Sequence, residues 1–448
     1  MGSSNPLVPE TALAAAEMSA ARPTRVRYQV LFAACTLAVV TYIHRVGFAR
    51  ALPELQKDLG LDDVHLSWLT ATFLFSYGVF EMPAGLLGDK FGVRHLLTLL
   101  VLGWSLLTGC VALTIYLPHQ WMLPLLVLLA LRFAFGAFQA GGFPLIARMM
   151  TDWMPMQERG TAQGLIWMSS RVGGLIVPVF LGWLMLRMAN WQTPLWIISG
   201  FGLLWCGMFW PWYRNRPEET RRVNAAEREL IVSGRAPRSS GHLKMPWAKV
   251  LRSRGVWALC LMYGFGGFAA NFYVTLLPTY LRNHRGLSDG VTSWLSGLPF
   301  ACGLVACVGG GFLSDLIIRR TGNRKWGRRL NGTCGTLIGG IAWLFLNGVQ
   351  DTWMLGFLLC LIFFCNDLAM GPAWAACADI GERYAGTLGG AMNMIGSFAG
   401  AAGNLLAGYL LQANHSGILF AVFAGSVWLG GLCWQGVDVT KPLDTSTD

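Results

Sequence analysis

Twelve stretches of mostly apolar residues, each about 20 residues or longer, constrain this chain more than any other feature. They fall at roughly 28–52, 65–88, 95–117, 121–147, 161–187, 193–213, 255–281, 290–318, 329–348, 352–375, 385–411 and 416–436. About 20 apolar residues in a helix cross a bilayer. Lipid offers no partner for backbone N–H and C=O groups, so such stretches must close their own hydrogen bonds as helices. The 448 residues are 54% hydrophobic and only 13% charged, against about 25% charged in an average soluble domain. The chain therefore lacks the polar surface that several soluble domains would need. The expected class is an all-α polytopic membrane protein with twelve transmembrane helices.

The basic excess has a topological explanation. The formal net charge is +11. With an even number of spans both tails share a side, and 26 of the 34 Lys and Arg fall on that side. The opposite side holds Arg50, Lys57, Arg187, Arg282 and Arg285, and three arginines lie inside spans. The positive-inside rule then makes both termini cytoplasmic and removes the case for a nucleic-acid partner. Residues 1–27 lack the apolar core of a signal peptide and are read as a cytoplasmic tail. The 11 cysteines include no C-x-x-C pair and mostly sit within apolar runs, so no disulfide or metal site is expected.

The connection at 214–254 is long and basic, and Asn224 with Glu227 forms a capping pattern for a short helix. It separates a bundle at 28–213 from a second at 255–436, with a tail at 437–448. The two halves repeat each other. Gly85-x-x-x-Asp89 and Gly311-x-x-x-Asp315 are 226 residues apart, and Glu158-Arg159 and Glu382-Arg383 are 224 apart. Two matches at nearly one offset indicate a duplicated six-span unit, hence two pseudo-symmetric six-helix bundles.

The segment Gly85-Leu-Leu-Gly-Asp89-Lys90-Phe-Gly92-Val-Arg94, with its echo at Gly311–Asp315, resembles the major facilitator superfamily over about residues 26–437. Within it the chain is similar to the anion:cation symporters, which carry sugar acids, carboxylates and organic phosphates. The matching segments are Tyr42-Ile-His44-Arg45, Leu131-Arg132-x-x-x-Gly136-Ala-Phe138-Gln139, Tyr213-Arg-Asn-Arg-Pro217-Glu218-Glu219 and Leu277-Pro278-Thr-Tyr280-Leu281. Relatives often place acids implicated in proton coupling where this chain has His44 and Gln139. The resemblance implies a monomeric carrier in the inner membrane. It also implies a gating role for Gly85, Asp89, Arg94 and Asp315, with Asp89 pairing with cationic groups at a cytoplasmic latch.

Six titratable side chains lie within spans: His44, Arg45, Glu81, Arg132, Arg171 and Asp367. Ionised groups at mid-bilayer are costly and usually face a cavity. With His neutral, the arginines outnumber the acids by one, a deficit that an anion would relieve. Guanidinium groups suit carboxylates and phosphates. The expected substrate is a small organic anion, contacted by Tyr42, Arg45, Tyr77, Arg132, Gln139, Arg171, Tyr273, Asn366, Trp374 and Asn393. The plainer reading is that Arg45, Arg132 and Arg171 pair with Glu81, Asp367 and backbone carbonyls as structural ties. Proton coupling is assigned to Glu81, then His44, then Asp367. Glycines in spans five and eleven are read as close-packing positions for alternating access.

The expected function is secondary active transport of an organic anion by symport with H+. An exchanger or facilitator without proton coupling is the alternative. A drug/proton antiporter is disfavoured because span five lacks a G-P-x-x-G-G run, and 214–254 is short for the effector domain of a transporter-like sensor. The seven His are scattered, and no P-loop is present. No enzyme, metal or cofactor is therefore expected.

Overall fold

The computed structural model describes residues 22–443 apart from 62, 119–121, 189, 233–246 and 278–279. Parts of the expected tails (1–21, 444–448) and of the connection (233–246) lie outside the described residues. The described residues are helical and contain no strand.

In chain order the helices are α1 (Val26–Leu59), α2 (Asp63–Phe91), α3 (Val93–Val111), α4 (Leu123–Gln139), α5 (Gly142–Trp153), α6 (Arg159–Met188), α7 (Gln192–Trp212), α8 (Ala225–Val232) and α9 (Trp247–Arg252). The C-terminal half continues with α10 (Arg254–Thr275), α11 (Asp289–Thr321), α12 (Arg324–Phe345), α13 (Thr352–Leu368), α14 (Met370–Gly381), α15 (Ala385–Gln412) and α16 (Ser416–Gly436). Each of the twelve apolar stretches coincides with one of these helices or with a pair of them. By length and hydropathy alone, eight segments qualify as membrane-crossing.

The fourth span of each half is broken at the same place. Span four divides into α4 and α5, and span ten into α13 and α14. Pro144 and Pro372, 228 residues apart, sit at the third position of the second helix of each pair. Proline has no N–H for the carbonyl four residues back and its ring crowds that carbonyl, so the helix axis shifts there. Gln139 and Asp367, also 228 apart, stand at the two breaks.

The polar connections gather at one end. Asn224 Oδ1 accepts from Glu227 N at 2.9 Å and starts α8, as its spacing suggests. Glu227, fully buried, then accepts from Thr24 Oγ1, from the Val26 and Arg27 amides and from the Arg27 guanidinium. These bonds satisfy N–H groups that the first turn of α1 leaves open. After α16, Leu443 N donates to Ile380 O at 2.9 Å, and Lys325 pairs with Asp438 at 3.2 Å. Burial raises the Asp438 carboxyl, but the Thr440 and Lys325 contacts outweigh it and hold the group down to about 2. This end is called the basic end below.

Candidate functional site

Two seams join the halves, and both close at the basic end. In the first, α2 meets α15. Asp89 accepts from Gly386 N at 3.1 Å, Thr387 N at 2.6 Å and Thr387 Oγ1 at 2.6 Å, capping α15, and lies 3.7 Å from Arg148. In the second, α11 meets α6. Asp315 accepts from Gly160 N at 3.2 Å, Thr161 N at 2.6 Å and Thr161 Oγ1 at 2.7 Å, and pairs with Arg328 at 2.7 Å. A carboxylate at a helix N-terminus meets both open N–H groups and the positive end of the dipole. Asp379 takes Arg159 at 2.9 Å and Arg328 at 3.1 Å, adding a buried network across the second seam.

The glycines make these contacts possible. A Cβ on Gly85 would lie 2.1 Å from Gly386 O, and one on Gly311 would lie 2.2 Å from Gly160 O. One helical turn deeper, a Cβ on Gly390 would lie 2.4 Å from Glu81 O, and one on Gly164 would lie 2.3 Å from Cys307 O. Arg94 stands apart from both seams. Its Nε donates to Trp210 O at 3.0 Å and its guanidinium rests 4.8 Å from the Trp210 ring, within the N-terminal half. That placement separates it from the latch to which the sequence assigned it.

Above the seams the buried polar side chains form three groups. The first centres on Arg45. Its Nε donates to Gln139 Oε1 at 3.0 Å, and Gln139 Nε2 donates to Thr41 O at 3.2 Å. The guanidinium stands 4.7 Å from the Tyr77 ring, 5.5 Å from Phe73 and 5.6 Å from Tyr42. Its Nη2 is buried without a hydrogen-bond partner, and no carboxylate pairs with Arg45 among the described residues. Glu81 lies below it on α2, bonded by Asn393 and by Ser397 Oγ at 3.2 Å, both from α15. Asn393 also reaches the Tyr77 hydroxyl at 3.5 Å.

The second group is the pair of Arg171 and Asp367. Arg171 Nε and Nη2 donate to the two Asp367 oxygens at 2.8 and 2.9 Å, and Asn366 Nδ2 adds a bond at 3.1 Å. This two-pronged ion pair joins α6 to α13 across the halves. Arg171 is thus not an unpaired cation, and the tie is the arrangement observed.

The third group lies inside the N-terminal bundle. His44 Nδ1 bonds Val40 O at 2.9 Å, the ring packs edge-on to Trp104, and Nε2 has no partner. His44 and Arg132 line one small cavity with Phe48, Thr108, Val111, Phe135 and Leu195, all from this half. Arg132 lies 3.9 Å from the Phe48 ring and 4.6 Å from Phe73. Arg132 and Arg45 thus both rest against the Phe73 ring, and the cavity that Arg132 lines belongs to the N-terminal half.

Toward the basic end the Arg45 level is floored by rings. Phe143 stacks on Trp167 at 4.6 Å, Trp374 lies 5.8 Å from Trp167, and Trp374 Nε1 donates to the Tyr263 hydroxyl at 3.4 Å. Sequence reasoning found Trp374 but missed Phe143, Trp167, Tyr263 and Ser397. Ser397 was detectable, four residues beyond Asn393 on the same helix face. Tyr273 moves the other way. It is buried in the C-terminal apolar cluster against Trp343 and Phe363, and its hydroxyl is spent on Leu359 O at 3.2 Å. It does not join the Arg45 group.

With this geometry in place, comparison with known proteins decides the family. The family model described as Major Facilitator Superfamily matches residues 34–404. The chain belongs to the major facilitator superfamily. It is 30% identical to the probable sulfoacetate transporter SauU of Cupriavidus necator, over 90% of this chain and 91% of that one. It is 27% identical to the probable galactarate/D-glucarate transporter GudP of Escherichia coli, over 91% and 92%. It is 26% identical to the hexuronate transporter of Bacillus subtilis, over 88% of each. Among solved structures, the proton:xylose symporter XylE aligns with a TM-score of 0.70 at 13% identity, covering 93% of this chain and 96% of that one. The human organic anion transporter MFSD10 aligns at 0.68 and 16% identity, covering 93% and 100%. These last two show the fold. The superfamily protein is a multi-pass membrane transporter, and its relatives are transporters rather than enzymes.

Proposed function

We propose that the chain carries a small organic anion, a sugar acid, carboxylate or organic phosphate, by alternating access, with Arg45 as the anion-binding group. One observation carries the reading. Arg45 is half-buried beside Tyr77, whose hydroxyl meets Asn393 of the other half, and its buried Nη2 has no hydrogen-bond partner, with no carboxylate paired to it among the described residues. A guanidinium left unpaired in low dielectric is costly, and an anionic ligand supplies the missing partner. Tyr42, Tyr77 and Gln139 orient it. Asn393 and Trp374 place the C-terminal half against it, Asn366 holds Asp367, and Arg132, on the same Phe73 ring, adds positive potential. The relatives' named substrates, sulfoacetate, galactarate, glucarate and hexuronates, agree with an acidic ligand.

Transport is by symport with H+, and Glu81 is the first candidate for the proton site. Its carboxyl bridges the halves through neutral donors, so a change in its charge alters the seam directly. His44 and Asp367 rank below it: His44 faces the N-terminal bundle, and Asp367 is held by Arg171. The basic end is cytoplasmic, the membrane is the inner membrane, and the working unit is a monomer. Gly85, Asp89 and Asp315 form the cytoplasmic gate.

The test is uptake into proteoliposomes with and without an inwardly directed proton gradient, comparing wild type with Arg45→Ala at matched incorporation. The reading expects uptake to fall by about 10- to 100-fold, the worth of charge-assisted hydrogen bonds. Equal uptake would remove Arg45 from the site. A second reading, exchange without proton coupling, is favoured by the neutral Gln139 that receives Arg45. Gradient-independent uptake with brisk counterflow would select it.

A further inference from the structure

The relatives divide by charge. A hexuronate carries one carboxylate, whereas galactarate, glucarate and sulfoacetate carry an acidic group at each end. The arrangement around Arg45 and Arg171 bears on which class this chain accepts, and the argument rests on the reading of Arg45 as an anion site.

Tyr42 links the neighbourhoods of the two arginines. The Tyr42 ring lies 5.6 Å from the Arg45 guanidinium. It also packs against α6, where a Cβ on Gly174 would stand 3.6 Å from Tyr42 Cδ1. Gly174 is about one turn beyond Arg171 on that helix. Two available guanidiniums near one phenol would suit an acid with a charge at each end. Only one is available. Arg171 spends its Nε and Nη2 on the two Asp367 oxygens at 2.8 and 2.9 Å. Those oxygens point along the same fork that a ligand carboxylate would use, so Asp367 occupies the place of a second anionic group.

The other neighbours do not replace it. Arg132 packs on the Phe48, Phe73 and Phe135 rings and lines a cavity inside the N-terminal half. Glu81, the next polar group toward the basic end, is itself a carboxyl and repels an anion whenever it is ionised. The Arg171 pair also comes at a defined place in the repeat. Asp367 matches Gln139 at the break of the fourth span of each half, and each accepts from an arginine. The neutral amide at one break leaves Arg45 its charge, while the carboxylate at the other cancels that of Arg171.

We infer that Asp367 sets the charge of the substrate: by occupying Arg171 it restricts the carrier to organic acids with a single anionic group. A diacid must displace a two-pronged buried ion pair or leave its second charge unpaired inside the membrane, and either course is unfavourable.

The experiment measures affinities of the purified protein for two matched pairs, gluconate with glucarate and ethanesulfonate with sulfoacetate. Wild type is expected to favour the single-charge member of the pair it binds by about tenfold or more, a difference of one charge-assisted contact. Asp367→Asn frees Arg171 and is expected to reverse the preference. The double variant Arg171→Gln/Asp367→Asn removes both charges and is expected to restore the wild-type order. The wild-type ratio needs no variant and decides the matter even where Asp367→Asn does not fold. Diacid binding equal to or tighter than that of the monoacid in wild type overturns the inference while leaving Arg45 as an anion site. An unchanged ratio in folded Asp367→Asn overturns it as well. Failure of both pairs to bind overturns the anion reading and the inference together.

Discussion

Arg45 and Arg171 are the same residue type, both inside the membrane, and their environments give them different tasks. Arg45 meets an amide, Arg171 a carboxylate. Lysine does not reproduce the first arrangement, because a single ammonium cannot bond Gln139 and present a planar fork to a ligand. Arg45→Lys is therefore expected to keep some anion binding but to weaken it by about tenfold, the scale of one lost charge-assisted contact, as read by titration calorimetry. Glu81 differs in kind: its partners are Asn393 and Ser397, neutral groups from the other half. Glu81→Gln is expected to abolish accumulation driven by a proton gradient while preserving counterflow of labelled substrate. Accumulation at the wild-type level in that variant would exclude Glu81 as the coupling site. The candidate acids and arginines were legible as residues, because an ionisable side chain within an apolar run is conspicuous. Their partners were not. Arg171 and Asp367 are 196 residues apart, and hydropathy carries no record of which buried charges meet. Tyr273 was misplaced for a related reason. A tyrosine in an apolar helix looks like a cavity residue until the carbonyl that satisfies it is known.

At the scale of elements, the two halves use one design twice. The spans were readable because each needs about 20 apolar residues, and the repeat was readable because Gly85–Asp89 and Gly311–Asp315 share their spacing. The breaks at α4–α5 and α13–α14 were only partly readable. Pro144 and Pro372 each lie within an apolar stretch, but their match emerges only when the helix ends are known. The seams impose a steric condition with a direct consequence. A side chain at Gly85 or Gly311 has no space against Gly386 O or Gly160 O while the basic end is closed. Gly85→Leu and Gly311→Leu are expected to shift the carrier toward a state open at that end. Buried Cys377 and Cys307 report on the opening, since both are fully buried beside the seams. Their labelling by a membrane-impermeant maleimide, read by peptide mass spectrometry, is expected to rise about tenfold or more, the change that a shift of roughly 1.4 kcal/mol gives a minor open state. Unchanged labelling in both variants would mean that the seams do not gate access.

For the whole molecule, the charge count that first indicated a life in lipid resolves into topology and function. Most of the Lys and Arg lie at the basic end or in its connections, where they set orientation. Within the membrane Arg171 and Asp367 cancel, and Arg45 and Arg132 then face Glu81 alone, an excess of one cation in the N-terminal half. The account turns on that excess being satisfied by an organic anion. The most direct measurement is the thermal stability of the purified carrier with organic acids and with the neutral sugars or alcohols of the same carbon skeleton. Acids that occupy Arg45 are expected to raise the melting temperature of wild type and to leave Arg45→Ala unmoved, while the neutral analogues shift neither. Stabilisation by neutral or cationic compounds alone, with no response to any organic acid, would contradict it.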